Sequence, residues 1–216
     1  MKLSAEALRE RFAVYGRFYD ADFGGRRLGL RSHLEIFERS MGWPQAAGAR
    51  ADLVAVMMNP GGSYPLEETD RNGWALTLPD RTQYQLMKLA LHAQAAGHLI
   101  RHIRVINLSD LRTPKSAELF ATLAALADDR HSIFSARRAG ELQQALGHQH
   151  PSPLLRAWGL ARQLEGLAAK AVAGTSQCKV LGLTDNDLAY RHPLPQRSDY
   201  QQRWLDDMAG QIAHAL

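Results

Sequence analysis

Two short apolar runs restrict the architecture of this chain more than any other feature. Leu53–Met58 (LVAVMM) stops at Asn59-Pro60-Gly61-Gly62, and Ile103–Leu108 (IRVINL) leads into Ser109-Asp110-Leu111-Arg112-Thr113-Pro114. Apolar runs of this length, closed by turn residues, suggest strands buried on both faces, and such strands belong to parallel sheets. Pro153–Trp158 (PLLRAW), stopped by Gly159, and Cys178–Leu183 (CKVLGL), followed by the loop Thr184–Pro195, have the same form. Helical patterns alternate with these runs. They lie at Gln83–Ala96, at Ser116–Ala127 with Ser116 near the N-cap, at 136–146, at Leu160–Ala173 closed by Gly174, and at Ser198–Ala215 with Ser198 as cap. Upstream, residues 4–18 read as a short helix. Leu28–Leu34 reads as a strand or irregular edge segment after a Gly24-Gly25 turn. Residues 63–81 show no clear period and contain Pro65, Gly73 and Pro79, so a long loop is expected there, the kind that often carries function.

Strands that alternate with helices signal right-handed βαβ crossovers. The expected fold is therefore α/β: a three-layer sandwich around a four-stranded, mainly parallel central sheet. A chain of 216 residues suits one such domain, 1–216, with 1–50 as N-terminal helix and edge segment and 51–216 as core. In open parallel sheets ligands bind beyond the carboxyl ends of the strands. Attention falls on the residues just after each run: Asn59-Pro60-Gly61, Asn107, Trp158-Gly159 and Arg191-His192-Pro193.

Several function classes are disfavoured. The longest apolar stretches carry Arg, Asp or His within a few residues, so no membrane partner is expected. The first residues include Glu6, Arg9, Glu10 and Arg11, unlike the apolar stretch of a signal peptide. A single cysteine, Cys178 beside an apolar run, forms no internal disulfide, reads as a buried structural thiol and suits a reducing cytosol, so a cytoplasmic location is expected. There is no P-loop, no G-x-G-x-x-G after a strand and no G-x-S-x-G elbow. His98 and His102 are four apart, and His148 and His150 are close, but no carboxylate or thiol completes a ligand set. Neither metal nor cofactor is expected. The net charge of +4 rests on 26 basic residues, of which only five are Lys; such an Arg-rich chain tolerates a phosphate-bearing partner, although a GC-rich genome produces the same bias.

Three polar side chains, Asn59, Asn107 and His192, stand at the ends of successive strands. Each has a plain structural role open to it: a turn before proline, a strand-end cap, a loop His-Pro. Together they suggest a site. The pattern resembles the uracil-DNA glycosylase superfamily. Val56-Met57-Met58-Asn59-Pro60-Gly61-Gly62 is similar to the first motif of its single-strand-selective and mismatch-specific branches. Arg104-Val105-Ile106-Asn107-Leu108 looks like the strand whose terminal Asn reads the base. Leu155-Arg156-Ala157-Trp158-Gly159 matches the Trp-Gly strand end, and Arg191-His192-Pro193-Leu194-Pro195 takes the place of the final His-Pro loop. The likeness covers roughly residues 53–205, and is greater still to an uncharacterised bacterial family with a Met-Asn-Pro first motif.

The resemblance implies an N-glycosidic hydrolase acting on DNA, or a domain that binds a nucleobase or nucleotide, with nucleic acid or nucleotide as partner. Asn59 would position the attacking water and His192 would donate a hydrogen bond to the leaving base. Asn107 would read the base edge, Gly61 and Gly62 would allow close backbone approach, and Trp74 or else Tyr64 would stack on the base. Arg191 and Arg197 would hold phosphate, and Leu194 would act as a wedge. The chain departs from the pattern in several ways. Asn at 59 supplies no general base, Gly61 stands where strict uracil enzymes carry a bulky ring, and Leu194 replaces a Ser. Glu67, Glu68, Asp70 and Asp80 make the long loop acidic. His150-Pro151-Ser152-Pro153-Leu154 copies the final motif literally but precedes a strand. Asp185 and Asp187 could supply a carboxylate or serve a turn. A non-catalytic regulatory binder and a hydrolase or transferase of free nucleotides are the alternatives.

Overall fold

The computed structural model describes residues 3–43, 49–147 and 150–215. Its seven-stranded mixed sheet has the order β4-β1-β2-β5-β3-β6-β7. The strands are β1 (Phe12–Phe23), β2 (Arg26–Glu38), β3 (Leu53–Met57), β4 (Trp74–Leu76), β5 (His102–Asn107), β6 (Leu154–Arg156) and β7 (Val180–Leu181). A small hairpin of β8 (Thr184–Asn186) and β9 (Ala189–Tyr190) lies apart from it. Six helices complete the described chain: α1 (Ala5–Arg11), α2 (Arg81–Ala95), α3 (Ser116–Ala125), α4 (Ala139–Leu146), α5 (Glu165–Gly174) and α6 (Ser198–Ala215).

The parallel part forms as the apolar runs require. β3 pairs in parallel with β5 and β6, and β6 with β7. β3 is buried along its whole length because its alternate residues feed two cores. Leu53, Ala55 and Met57 join α1, α2 and α6 in one apolar cluster, whereas Val54 and Val56 join α4 and α5 in another. A third cluster sets Leu119 of α3 against Phe23, Leu30 and Leu111.

The expectation of four strands is corrected. The four parallel strands occupy one side of the sheet, and an antiparallel β1–β2 hairpin with β4 extends the other. The helix expected over 4–18 stops at Arg11, capped by Ser4 accepting from the Ala7 amide at 3.1 Å. Phe12–Phe23 then continues as a strand, because Phe12, Val14 and Phe18 are buried in its amphipathic alternation. The chain reverses at Gly24-Gly25, whose φ angles of 66° and 86° are those that two-residue hairpin turns need. β2 then lies antiparallel against β5, with Leu34 opposite Val105 and Ile36 opposite Ile103. The long loop contains β4, which pairs with β1 at the edge. Ser116 does not cap α3; Lys115 precedes the helix and no side chain caps it.

The approach of β4 is close. Gly73 has φ +83°, and a Cβ there would stand 2.5 Å from the Phe18 carbonyl oxygen, which belongs to the residue whose amide donates to the Gly73 carbonyl at 2.8 Å. Gly73→Ala is expected to cost about 1–3 kcal/mol in urea unfolding. Gly140→Ala in α4, where a Cβ meets nothing within 4 Å, should be neutral or stabilising by about 0.4–1 kcal/mol. Equal responses at the two positions would contradict this account of the edge.

Candidate functional site

The chain steps from β3 to β5 in one direction and from β5 to β6 in the other, so strand order reverses at β3. Ligand crevices of open α/β sheets form at such a reversal. A cavity of about 180 Å³ lies there, lined by Met57 to Gly61 at the end of β3, Val105 and Asn107 of β5, Arg31 of β2, Asp80, Thr82, Gln83 and Leu86 at the start of α2, Pro114 and His192. Asn59, Asn107 and His192 thus come together, as do Gly61 and the acidic-loop residue Asp80.

Each amide has a distinct state. The Asn59 nitrogen donates to the carbonyls of Leu111 at 3.1 Å and Thr113 at 2.9 Å. Both of its N–H bonds are spent tying the exit of β3 to the segment after β5, and this leaves Oδ1 as a pure acceptor. Asn107 is fully buried, and neither its oxygen nor its nitrogen has a hydrogen-bond partner among the described residues. Buried amides are normally satisfied, so this one is a donor and an acceptor left unpaired in the cavity wall.

His192 is fixed by its own loop. The Leu194 amide donates to Nδ1 at 3.2 Å, so the ring proton of the neutral imidazole sits on Nε2. Burial pushes its pKa below the ordinary value, with the Asp80 carboxylate opposing the shift. Asp80 caps α2, accepting from the Gln83 amide at 2.9 Å in a reciprocal capping box. Gly61, at φ +63°, adopts the left-handed conformation that glycine tolerates, and a Cβ there would meet open space.

Other expected site residues lie elsewhere. Trp74 sits on β4, separated from β5 by β1 and β2, and packs edge-on against Trp43 at 4.9 Å. It lines a different hollow of about 390 Å³ with His33, Glu35 and Arg104. Glu35 there accepts from His102 Nε2 at 2.6 Å and Arg104 Nε at 2.7 Å, so its carboxylate is already matched within the chain. Tyr64 is 53% exposed and does not line the strand-end cavity; neither do Gly62 and Leu194. Arg191 and Arg197 are exposed at the surface and paired with Asp185 and Asp199 at 2.6 and 2.8 Å. Asp185 is thereby accounted for. Trp158 is core, its indole nitrogen donating to the Leu188 carbonyl at 2.8 Å. Ser152 of the literal His-Pro-Ser-Pro-Leu match donates to the Ala51 carbonyl at 2.6 Å, and Leu154 begins β6.

His98 and His102 do not share a helix: α2 ends at Ala95, and His102 lies on β5. His148 lies outside the described residues. Among the described residues, no three His, Cys, Asp or Glu side chains gather as a metal site, and no helix is long and apolar enough to cross a membrane. Cys178 is buried, and burial raises its thiol pKa.

Sequence reasoning missed Arg31 and Gln83. Asp80-Arg81-Thr82-Gln83 carries a readable capping-box spacing that would have drawn α2 back toward the cavity. No sequence signal marks Arg31, as the strand irregularity that turns it inward leaves no local trace.

Long-range ¹H–¹⁵N spectra should show His192 in the Nε2–H form at pH 7, titrating with a midpoint below 6.5. An Nδ1–H tautomer or a midpoint above that value would contradict the hydrogen bonding described. Comparison of the chain with family models, curated proteins and solved structures returned no match in any of the three.

Proposed function

We propose that this protein is a uracil-DNA glycosylase-like, three-layer α/β domain whose strand-end cavity binds a nucleobase and hydrolyses its N-glycosidic bond. The observation that carries the reading is the buried Asn107 amide, with both polar atoms unpaired, in one cavity with Asn59 and His192. A volume of about 180 Å³ falls below the range of about 300–1,000 Å³ found for drug-sized pockets, which favours a single ring as occupant.

The chemistry follows from the states of the groups. Departure of a base leaves an oxocarbenium-like sugar and puts negative charge on the base. With Nδ1 held by the Leu194 amide, the His192 Nε2–H can donate to a developing oxyanion without itself carrying charge. Asn59 Oδ1, as an acceptor only, can orient a water by taking one of its hydrogens. Asn107 offers the complementary pair of contacts to an imide or amide edge. With no carboxylate at position 59, water is oriented rather than deprotonated, and slow turnover is expected.

A second reading keeps the pocket but not the polymer. Arg191 and Arg197 are paired within the chain, and Glu67, Glu68 and Asp70 are exposed on the long loop, so support for a DNA backbone contact is thin. A free base or nucleotide would then be the ligand, bound for regulation or for conversion.

Uracil-containing single- and double-stranded oligonucleotides, treated with alkali after incubation, should reveal abasic sites. His192→Ala and Asn59→Ala are each expected to slow their formation about 10²–10³-fold. Absence of abasic sites, together with uracil-induced thermal stabilisation that shows no steep salt dependence, would select the second reading. Absence of both would rule out a nucleobase at this cavity.

A further inference from the structure

We propose that the cavity takes its single-ring heterocycle as an anion, with Arg31 as the counter-charge; the inference rests on the cavity being the ligand site. Arg31 is only 2% exposed, and its Nε and Nη1 atoms find no hydrogen-bond partner among the described residues. Asp80, which also lines the cavity, and Asp110 offset part of its charge through space, but neither hydrogen-bonds to it. Asp80 caps α2 through the Gln83 amide, and Asp110 accepts from Tyr19 at 2.8 Å and Arg138 at 2.6 Å. Burial lowers the Arg31 pKa to about 10, so the guanidinium stays charged at neutral pH.

The fold holds this cation deliberately in place. Arg17 pairs with His33 and Phe18 with Arg31, so Ser32 is an extra residue, a bulge in β2. Leu34, opposite Val105, and Arg31 then share a side of the sheet although they are three apart, and Arg31 joins Val105 in the cavity wall. Gly16 makes room beneath it: a Cβ there would stand 3.2 Å from Arg31 Cδ and 2.8 Å from the Phe18 ring. The Arg31 amide donates to the Asp110 carbonyl at 2.9 Å, which pins the strand beside the segment that follows β5.

A buried cation with unmade hydrogen bonds is costly, and an anionic ligand offsets more of that cost than a neutral one does. Carbonyl lone pairs of a neutral base would satisfy N–H groups but add no directly bonded counter-charge. A carboxylate on the ring, or an ionised ring nitrogen, supplies both.

Calorimetry on the full chain at pH 7.5 can compare orotate, 5-nitrouracil, uracil and inorganic phosphate. Orotate carries a fixed carboxylate, 5-nitrouracil an ionised ring nitrogen, and uracil no charge. At least one anionic ring should bind about tenfold tighter than uracil, and Arg31→Met should abolish that preference. Arg31→Met should also melt no lower than the wild type, because it removes an unpaired buried charge; a merely structural arginine would lower the melting temperature. Uracil binding without preference for either anion overturns the role of Arg31 and leaves the nucleobase reading standing. Phosphate bound through Arg31, with no ring bound, overturns the heterocycle. No binding at all overturns both.

Discussion

The site depends on β3 being held on both sides. Its parallel pairing with β5 sets Met57 beside Asn107, and its pairing with β6 sets Val56 beside Arg156. A strand with neighbours on each edge and a core on each face has no register in which it can slip without exposing apolar surface. Pairing even runs past the last strand residue, since Leu108 and Ser109 donate to the Met57 and Met58 carbonyls at 2.8 and 3.2 Å. Asn59 is therefore delivered to a fixed point, and its amide fastens the two exits together. The cavity is the space left over where this rigid corner meets the first turn of α2.

The antiparallel half of the sheet has a different task. Its hairpin covers the free edge of β5, which would otherwise present unpaired backbone groups. It also adds a wall that the parallel core alone lacks. β2 continues beyond the end of β5, where Leu30 bridges Leu111, so Arg31 stands level with the polar groups at the strand ends. The sheet is thus mixed because one side supplies the crevice and the other closes it.

Legibility of these parts differed for physical reasons. LVAVMM and IRVINL announce themselves because burial on both faces demands continuous apolar residues. Asn59 and Asn107 stand out by position, as polar side chains at the ends of buried strands, and His192 by the His-Pro loop late in the chain. β1 was hidden because α1 runs straight into it, and the exposed Arg17 and Asp20, one on each face, interrupt its apolar alternation. The resemblance points Trp74 to the cavity, but a three-residue pairing with β1 carries it to the opposite edge, and nothing local in 63–81 encodes that partner. Arg31 was invisible because a bulge changes side-chain parity through a long-range pairing. Cys178 as a buried thiol and Gly24-Gly25 as a turn needed only local chemistry, and both could be read directly.

His192 arrives by a separate route. It precedes α6, whose Gln201 side chain donates to the Pro195 carbonyl at 2.8 Å, and α6 packs its Trp204, Leu205 and Met208 into the same core as α2. During translation, the ribosome releases Asn59 and Asn107 long before the imidazole that faces them. A nascent chain can assemble its central strands while one flank of the crevice is still missing, and the docking of α6 is the event that shuts it. Closure of the cavity is thereby coupled to the completion of folding rather than to its onset.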